Sequence, residues 1–222
     1  MAGFALLEAM TQSLPLESLA ESLPIVFQLL CQRLATLKTN KFVREFVVTT
    51  STFVCLHGAD TVLELFNGVQ PNCWVALLEQ FWLPGLALVK GTESRKSCVV
   101  ALTKFACESV ALSDPSQQPL WNKIVASTVA LLESGSGDVT EGDDFGLEEM
   151  SGHTAFSRLT NVAKLQHDPI PHIVDACQYF ATSMSTFSQA SPGLGDKLTA
   201  ALEPAHLAVV QQYFASYGVG LS

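Results

Sequence analysis

The sequence predicts an all-α fold, an α-solenoid in which antiparallel helical pairs stack along the chain. Apolar residues recur with the 3.6-residue period of an amphipathic helix in segment after segment. Prolines stand just before several of these segments, where the first turn of a helix tolerates them. Successive helical pairs begin roughly 45–55 residues apart, close to the repeat length of HEAT and armadillo arrays.

The composition is that of a folded chain without a membrane-spanning segment. Of the 222 residues, 48% are apolar and 15% are charged, and a mean hydropathy of +0.30 excludes general disorder. The longest uncharged runs, 176–195 and 204–222, contain polar residues, Pro and Gly throughout, so no membrane insertion is expected. The first basic residue is Arg33, which leaves no positively charged start for a secretory or transit signal. We therefore expect a cytosolic or nuclear compartment.

The first predicted pair consists of 16–37 and 40–57. Within the second member, residues 46–54 are rich in β-branched and aromatic side chains, and local propensity alone permits a buried strand there. Phe42, Phe46 and Phe53 nevertheless follow a helical spacing, and no partner strand with turn signals is evident. These observations favour a helix.

The second predicted pair is 72–89 with 93–111. In its first member every large apolar side chain falls on one helix face, at positions i, i+3, i+4, i+7 and i+8. These residues are Trp74, Leu77, Leu78, Phe81 and Trp82. Cys98, Leu102 and Phe105 repeat the pattern in the second member, so both helices need a neighbour to cover an apolar stripe.

The third predicted pair is 117–134 with 170–190, and a closing helix follows it. Asp168 and Pro169 are expected to provide the cap and the first position of the helix over 170–190. Pro204 is likewise expected to begin the closing helix, which runs to Tyr217 and ends in a glycine-containing turn.

The acidic charge of the chain is concentrated in one segment, 134–152. The net charge of −9 opposes direct binding to nucleic acid or to an anionic lipid surface. Five glycines and six acids interrupt the helical pattern here, which is typical of a loop or a disordered insert. The insert either contacts a partner or is a solvated spacer. Its acids are Asp138, Glu141, Asp143, Asp144, Glu148 and Glu149.

Basic residues form two small groups at predicted helix starts or turns. Such groups are usually solvated surface, but as functional residues they would contact an acidic partner. The first group is Lys38, Lys41 and Arg44, and the second is Arg95 and Lys96.

No catalytic, metal or cofactor motif stands out. The six cysteines are irregularly spaced without a Cys-x-x-Cys pair, which favours buried free thiols over a zinc site. A calcium-loop frame starting at Asp138 fails at two of its ligand or turn positions. Cys55 and His57 are two residues apart, so on a helix they point to different faces and cannot form a nucleophile–base pair. A small thiol enzyme is therefore a distant alternative, and no cofactor is expected.

The chain resembles the C-terminal region of the CAS exportins (exportin-2) of the importin-β superfamily along nearly its whole length. In the first half the resemblance rests on 38–42, the helix through His57 and Gly58, and 65–71. In the second half it rests on 152–159 and on the turn at 167–169, followed by a closing pair of helices. The resemblance implies a HEAT-repeat solenoid forming an arch, with 1–222 as a single C-terminal region.

The resemblance also implies a function. Exportins of this family carry importin-α out of the nucleus together with GTP-bound Ran, which implies a non-enzymatic protein found in nucleus and cytoplasm. Intact family members are several times longer, and their principal Ran-binding repeats lie near the N-terminus. The sequence is then a truncated product or the C-terminal arch alone. The alternative is a stand-alone helical scaffold or adaptor without transport activity.

The N-terminal stretch 4–37 is expected to lack a polar cap. Large apolar side chains crowd this stretch, and its charged residues are Glu8, Glu17, Glu21 and Arg33. One following helix cannot cover that many apolar side chains, whereas natural solenoid ends carry polar outer faces. We therefore expect self-association through an uncapped N-terminal end. The apolar residues include Phe4, Leu6, Leu7, Leu14, Leu16, Leu19, Leu23, Ile25, Val26, Phe27, Leu29 and Leu30.

Overall fold

The computed structural model describes residues 2–36, 39–134, 168–190, 193, 197–198 and 201–220. Their regular structure is helical, and no strand occurs in these ranges. The first half contains α1 (Ala2–Ser13), α2 (Leu16–Leu19), α3 (Leu23–Thr36), α4 (Asn40–His57) and α5 (Ala59–Val69). The second half contains α6 (Cys73–Leu77), a π-helical turn (Leu78–Trp82), α7 (Leu83–Gly85), α8 (Thr92–Glu108), α9 (Gln118–Ser134), α10 (Ala176–Ala190) and α11 (Pro204–Ser216). Short 3₁₀ turns cover Leu86–Leu88, Ala111–Ser113 and Pro115–Gln117.

The helices are arranged in two layers. In the first layer α1, α4, α8 and α10 pack side by side in that order. The second layer contains α3, α5, the helical turns of 73–88, α9 and α11. Contacts of α4 with α5, α8 with α9 and α10 with α11 join the layers. Each helix therefore covers the apolar face of its neighbours along the array, as in a solenoid.

A continuous series of aromatic rings forms the centre of the core. Phe27 of α3 lies 5.8 Å from Phe53 of α4 and 5.0 Å from Phe66 of α5, measured between ring centroids. Phe46 continues the series to Trp82, which packs edge-on against Phe105 of α8 at 5.2 Å. These side chains are fully buried or nearly so. Burial of each contributes about 1.5–3 kcal/mol, so this series ties both layers together.

The β-branched run 46–54 lies within α4, which confirms the helical prediction. Two of its buried hydroxyls form hydrogen bonds without leaving helical geometry. Thr50 donates to the carbonyl of Phe46, one turn back, at 2.6 Å, and Thr49 donates to the carboxylate of Glu8 on α1 at 3.1 Å. Tertiary burial therefore overrides the local strand propensity.

The first predicted pair, 16–37 with 40–57, joins the wrong helices. α4 ends at His57, and the φ of 92° at Gly58 lets the chain turn directly into α5, a helix that the predicted pairs do not include. α5 packs against both α3 and α4. The pair is therefore α4 with α5, and the segment 16–37 is divided between α2 and α3.

The segment 72–89 is helical, but it is not the single regular helix that its periodicity predicts. A π-helical turn and a 3₁₀ turn flank α7, which contains Pro84 in its first turn. Because proline has no backbone N–H and its ring clashes with the preceding turn, the regular bonding pattern cannot continue through it. Gly85 then allows close packing, since a Cβ there would lie 2.8 Å from Val47 and 2.9 Å from Val43.

The prediction that Asp168 and Pro169 begin a helix is wrong. The Asp168 carboxylate accepts from the Ile170 amide at 3.0 Å in a turn, and α10 begins only at Ala176. Asp175 provides the cap instead, accepting from the Cys177 amide at 2.8 Å.

The closing helix agrees with its prediction, because α11 begins at Pro204. After its end Gly218, with a φ of 65°, donates to Ala215 and Val219 donates to Phe214, as in a Schellman motif. Within the described residues, no helix is long and apolar enough to span a membrane.

Candidate partner-binding surface

The first basic group lies at the start of α4. The Thr39 side chain caps this helix by accepting from the Phe42 amide at 3.2 Å, which fixes the orientation of the first turn. Lys41 in that turn is exposed. The guanidinium of Arg44 is half-buried and pairs with the neighbouring Glu45 carboxylate at 2.9 Å. Lys38 lies outside the described residues, so the described part of this group presents Lys41 and a partly neutralised Arg44.

Arg95 lies in the first turn of α8 and contacts the end of α9. Its guanidinium donates to the carbonyl of Val89 at 3.4 Å and to the carbonyl of Ser134 at 3.2 Å. Ser134 is the last residue of α9 and the first of the acidic segment 134–152. A cation at the carbonyl end of a helix also interacts favourably with the helix dipole.

Lys96, the next residue, contacts Asp168, which follows the acidic segment in the sequence. Its ammonium lies 2.6 Å from the Asp168 carboxylate and 4.0 Å from that of Glu93, and its side chain is only 11% exposed. Burial alone would raise the pKa of Asp168, but hydrogen bonds from Lys96 and from the Ile170 amide outweigh it and hold that pKa below its usual value. The carboxylate is therefore kept charged.

Two consecutive basic residues thus contact Ser134 and Asp168, the described residues on either side of 135–167. We call Arg95, Lys96, Ser134 and Asp168 the basal clamp. Of these four, Arg95 and Lys96 are predicted site residues, and the structure brings both into contact with the chain itself, so part of their hydrogen-bonding capacity is used internally. The acids at 138, 141, 143, 144, 148 and 149 lie outside the described residues, as does the calcium-loop frame beginning at Asp138.

Further polar contacts stabilise the packing of the helices that follow the acidic segment. His206 of α11 lies 3.2 Å from the Glu133 carboxylate of α9. The Tyr217 hydroxyl donates to Asp175 at 2.5 Å, and this hydrogen bond raises the pKa of Tyr217 to about 12. No sequence pattern singles out these four residues, because isolated polar side chains carry no periodic signal.

The cysteines are poor nucleophiles in this fold. Desolvation by burial raises the pKa of all six thiols, to about 11 for Cys31 and to about 12 for Cys98 and Cys107. Cys55 donates to the carbonyl of Ser97 at 3.3 Å, whereas the ring of His57 packs against Phe53. Raised thiol pKa values are the opposite of what an activated thiolate requires. In the described ranges no group of three or more His, Cys, Asp or Glu side chains is arranged to hold a metal ion.

The two-layer array and its apolar core define a helical solenoid protein. Residues 1–213 match the family model described as CAS/CSE protein, C-terminus. The chain is 30% identical to exportin-2 of Homo sapiens and 32% identical to exportin-2 of Oreochromis niloticus, over 99% of this chain and 23% of each relative. The chain belongs to the CAS/CSE family, and it spans about a quarter of the length of the curated relatives that it matches.

A solved structure gives the same fold. The exportin Cse1 in its cargo-free, cytoplasmic state matches 96% of this chain and 22% of its own, with a TM-score of 0.77 and 18% sequence identity. This likeness confirms the predicted all-α, HEAT-repeat solenoid.

Proposed function

We propose that this chain is part of a nuclear transport receptor that returns importin-α from the nucleus to the cytoplasm together with GTP-bound Ran. The observation that carries the proposal is the family match over 1–213, supported by relatives that bear the name exportin-2. In this proposal 1–222 is a single C-terminal HEAT-repeat region, 134–152 is an acidic insert, and the protein is present in nucleus and cytoplasm. Its role is non-catalytic protein binding.

The partner contacts are divided between two places on the surface. The first is the start of α4, where Lys38, Lys41 and Arg44 offer positive charge to an acidic patch. The second is the acidic insert, which attracts a basic surface of importin-α or Ran over a distance of about a Debye length. Arg95 and Lys96 act differently, because their charges are used within the chain: Arg95 contacts Ser134, the first residue of the insert, and Lys96 pairs with Asp168.

A pull-down with the 222-residue chain tests the proposal. Importin-α should be retained from nuclear extract, and addition of GTP-loaded Ran should increase the amount retained. A control chain carries Glu17→Gln, Asp114→Asn and Glu203→Gln, three exposed acids outside the insert, and should behave like the unmodified chain. Retention of neither importin-α nor Ran under both conditions would contradict the proposal.

The competing function is that of a stand-alone helical scaffold or adaptor. The chain covers only 23% of the length of its curated relatives. A different set of binding partners would therefore still agree with the family match. A scaffold would retain other proteins, and GTP-loaded Ran would not change what is retained.

A further inference from the structure

The nearly buried ammonium of Lys96 lies between two carboxylates. Its Nζ is 2.6 Å from the Asp168 carboxylate and 4.0 Å from Oε2 of Glu93. Asp168 belongs to the turn that precedes α10, whereas Glu93 lies one turn back on α8 itself. The shorter distance is that of a charge-assisted hydrogen bond, and the longer one is only an electrostatic contact. Lys96 therefore has one partner in the turn and a second carboxylate within reach on its own helix.

The carboxylate of Glu93 is incompletely satisfied. Its Oε2, the oxygen that faces Lys96, is buried and accepts no hydrogen bond from the described residues. A buried charged oxygen without a donor is costly, and native structures contain few such atoms. A small movement of the Lys96 ammonium toward Glu93 would supply the missing donor.

Glu93 and Asp168 also lie close to each other. Burial works to raise the pKa of Asp168, but hydrogen bonds, chiefly with Lys96 and to a lesser extent with Glu93, outweigh it and lower that pKa. When both carboxyl groups are ionised they repel each other, and one ammonium lies between them. The observed arrangement thus satisfies Asp168 at the expense of Glu93.

We propose that Lys96 exchanges between these two partners and that the exchange releases Asp168 from α8. In the closed arrangement Lys96 holds Asp168, and Glu93 lacks a donor. In the open arrangement Lys96 moves to Glu93, and the Asp168 carboxylate turns to solvent, where a basic group can reach it. Without Glu93, opening would leave a nearly buried ammonium uncompensated, which is strongly unfavourable. With Glu93 present, one ion pair replaces another, so the two arrangements are close in free energy.

The packing that follows Asp168 limits what is released. Ile170 is buried, and its carbonyl accepts from the Ile173 amide at 3.0 Å, so the chain beyond Pro169 stays on the core. The exchange therefore concerns the start of the turn and not the docking of α10. This inference does not depend on the transport role proposed above.

A mutational cycle measured by urea denaturation tests the exchange of partners. The coupling between Lys96→Met and Glu93→Gln is measured in the wild-type chain and again in a chain that carries Asp168→Asn. It should change the unfolding equilibrium constant less than about twofold in the wild type, and about fivefold or more when Asp168 no longer competes. Equal coupling in the two chains would show that Lys96 does not change partners, and it would overturn the proposal.

Hydrogen exchange at 168–175 tests the release itself in a chain with a single substitution. Glu93→Gln should slow this exchange about threefold or more, because it removes both the repulsion in the closed arrangement and the ion pair of the open one. The control is Glu45→Gln, since the Glu45 side chain is 31% exposed against 33% for Glu93 and pairs with Arg44 on α4. If Glu93 merely held Lys96 in place, Glu93→Gln would speed the exchange. That result, no change, or an equal effect of Glu45→Gln would overturn the proposal.

Discussion

Replacement of Lys96 by Met should lower the free energy of unfolding by about 2 kcal/mol. The ammonium of Lys96 lies 2.6 Å from Asp168, and the two side chains are 11% and 27% exposed. A solvent-exposed ion pair contributes about 0–1 kcal/mol, and loss of one partner of a fully buried pair costs about 3–5 kcal/mol. This partly buried pair falls between the two. Met retains an unbranched apolar side chain, so the loss reports mainly the charge and the hydrogen bond.

Lys123→Met is the matched control. Its ammonium is also 2.6 Å from a carboxylate, that of Glu79, but Lys123 is 58% exposed. Water and salt screen such a pair, so its loss should cost less than about 1 kcal/mol. The comparison separates the effect of burial from that of distance.

The Lys96→Met penalty should also depend on pH. The pKa of Asp168 is lower in the folded chain than its ordinary value of 3.8. A carboxylate of this kind stabilises the fold above its unfolded pKa and loses that contribution as the pH falls through its folded pKa. The penalty should therefore be complete at pH 7 and should shrink below pH 3.8.

Urea denaturation followed by circular dichroism measures these differences. A double-mutant cycle with Asp168→Asn isolates the pairwise term, and hydrogen exchange at 168–175 reports whether the turn after the acidic segment loosens. Equal penalties for Lys96→Met and Lys123→Met, or a coupling energy near zero, would refute the view that the basal clamp holds this part of the chain.

Three further predictions concern the core and the thiols. Phe46→Ala should cost about 3–5 kcal/mol in urea denaturation because it interrupts the buried series between Phe66 and Trp82, and a loss below about 1 kcal/mol would contradict that role. Gly85→Ala should cost about 1–3 kcal/mol through overpacking, whereas Gly68→Ala, with open space around it, should be neutral or stabilising by up to about 1 kcal/mol. All six cysteines should react slowly with a thiol reagent at pH 7 while the chain is folded, and one rapidly labelled cysteine would revive the thiol-enzyme alternative.

Most of the helices could be predicted because their signals are local. Periodicity and proline placement are properties of short stretches, and they located α4, α8, α9 and α11 closely. The end of α4 before Gly58 was predicted, but the helix that follows it and the interruption at Pro84 were not, so α5 was absent from the predicted pairs and 72–89 was treated as one helix. Apolar periodicity does not register either feature, because a glycine that permits a positive φ and a proline that breaks the helical bonding pattern leave the spacing of the apolar residues unchanged.

The candidate site was less accessible to sequence reasoning. The second basic group was found as a pair of adjacent charges, but its contacts lie 39 residues away for Arg95 and 72 residues away for Lys96. No local pattern specifies which distant carbonyl or carboxylate a basic side chain will reach. Asp175 and Tyr217 were missed for the same reason, since 42 residues separate them.

The salt dependence of importin-α binding tests the transport proposal most directly. The association rate of importin-α with the 222-residue chain, with and without GTP-loaded Ran, should be compared between the wild type and a variant in which Asp138, Glu141, Asp143, Asp144, Glu148 and Glu149 are neutralised together. We expect binding by the wild type and slower association by the variant, with the difference largest at low salt. Absence of binding by the wild-type chain at every salt concentration, with or without Ran, would contradict the assignment of this chain as a partner-binding part of an exportin.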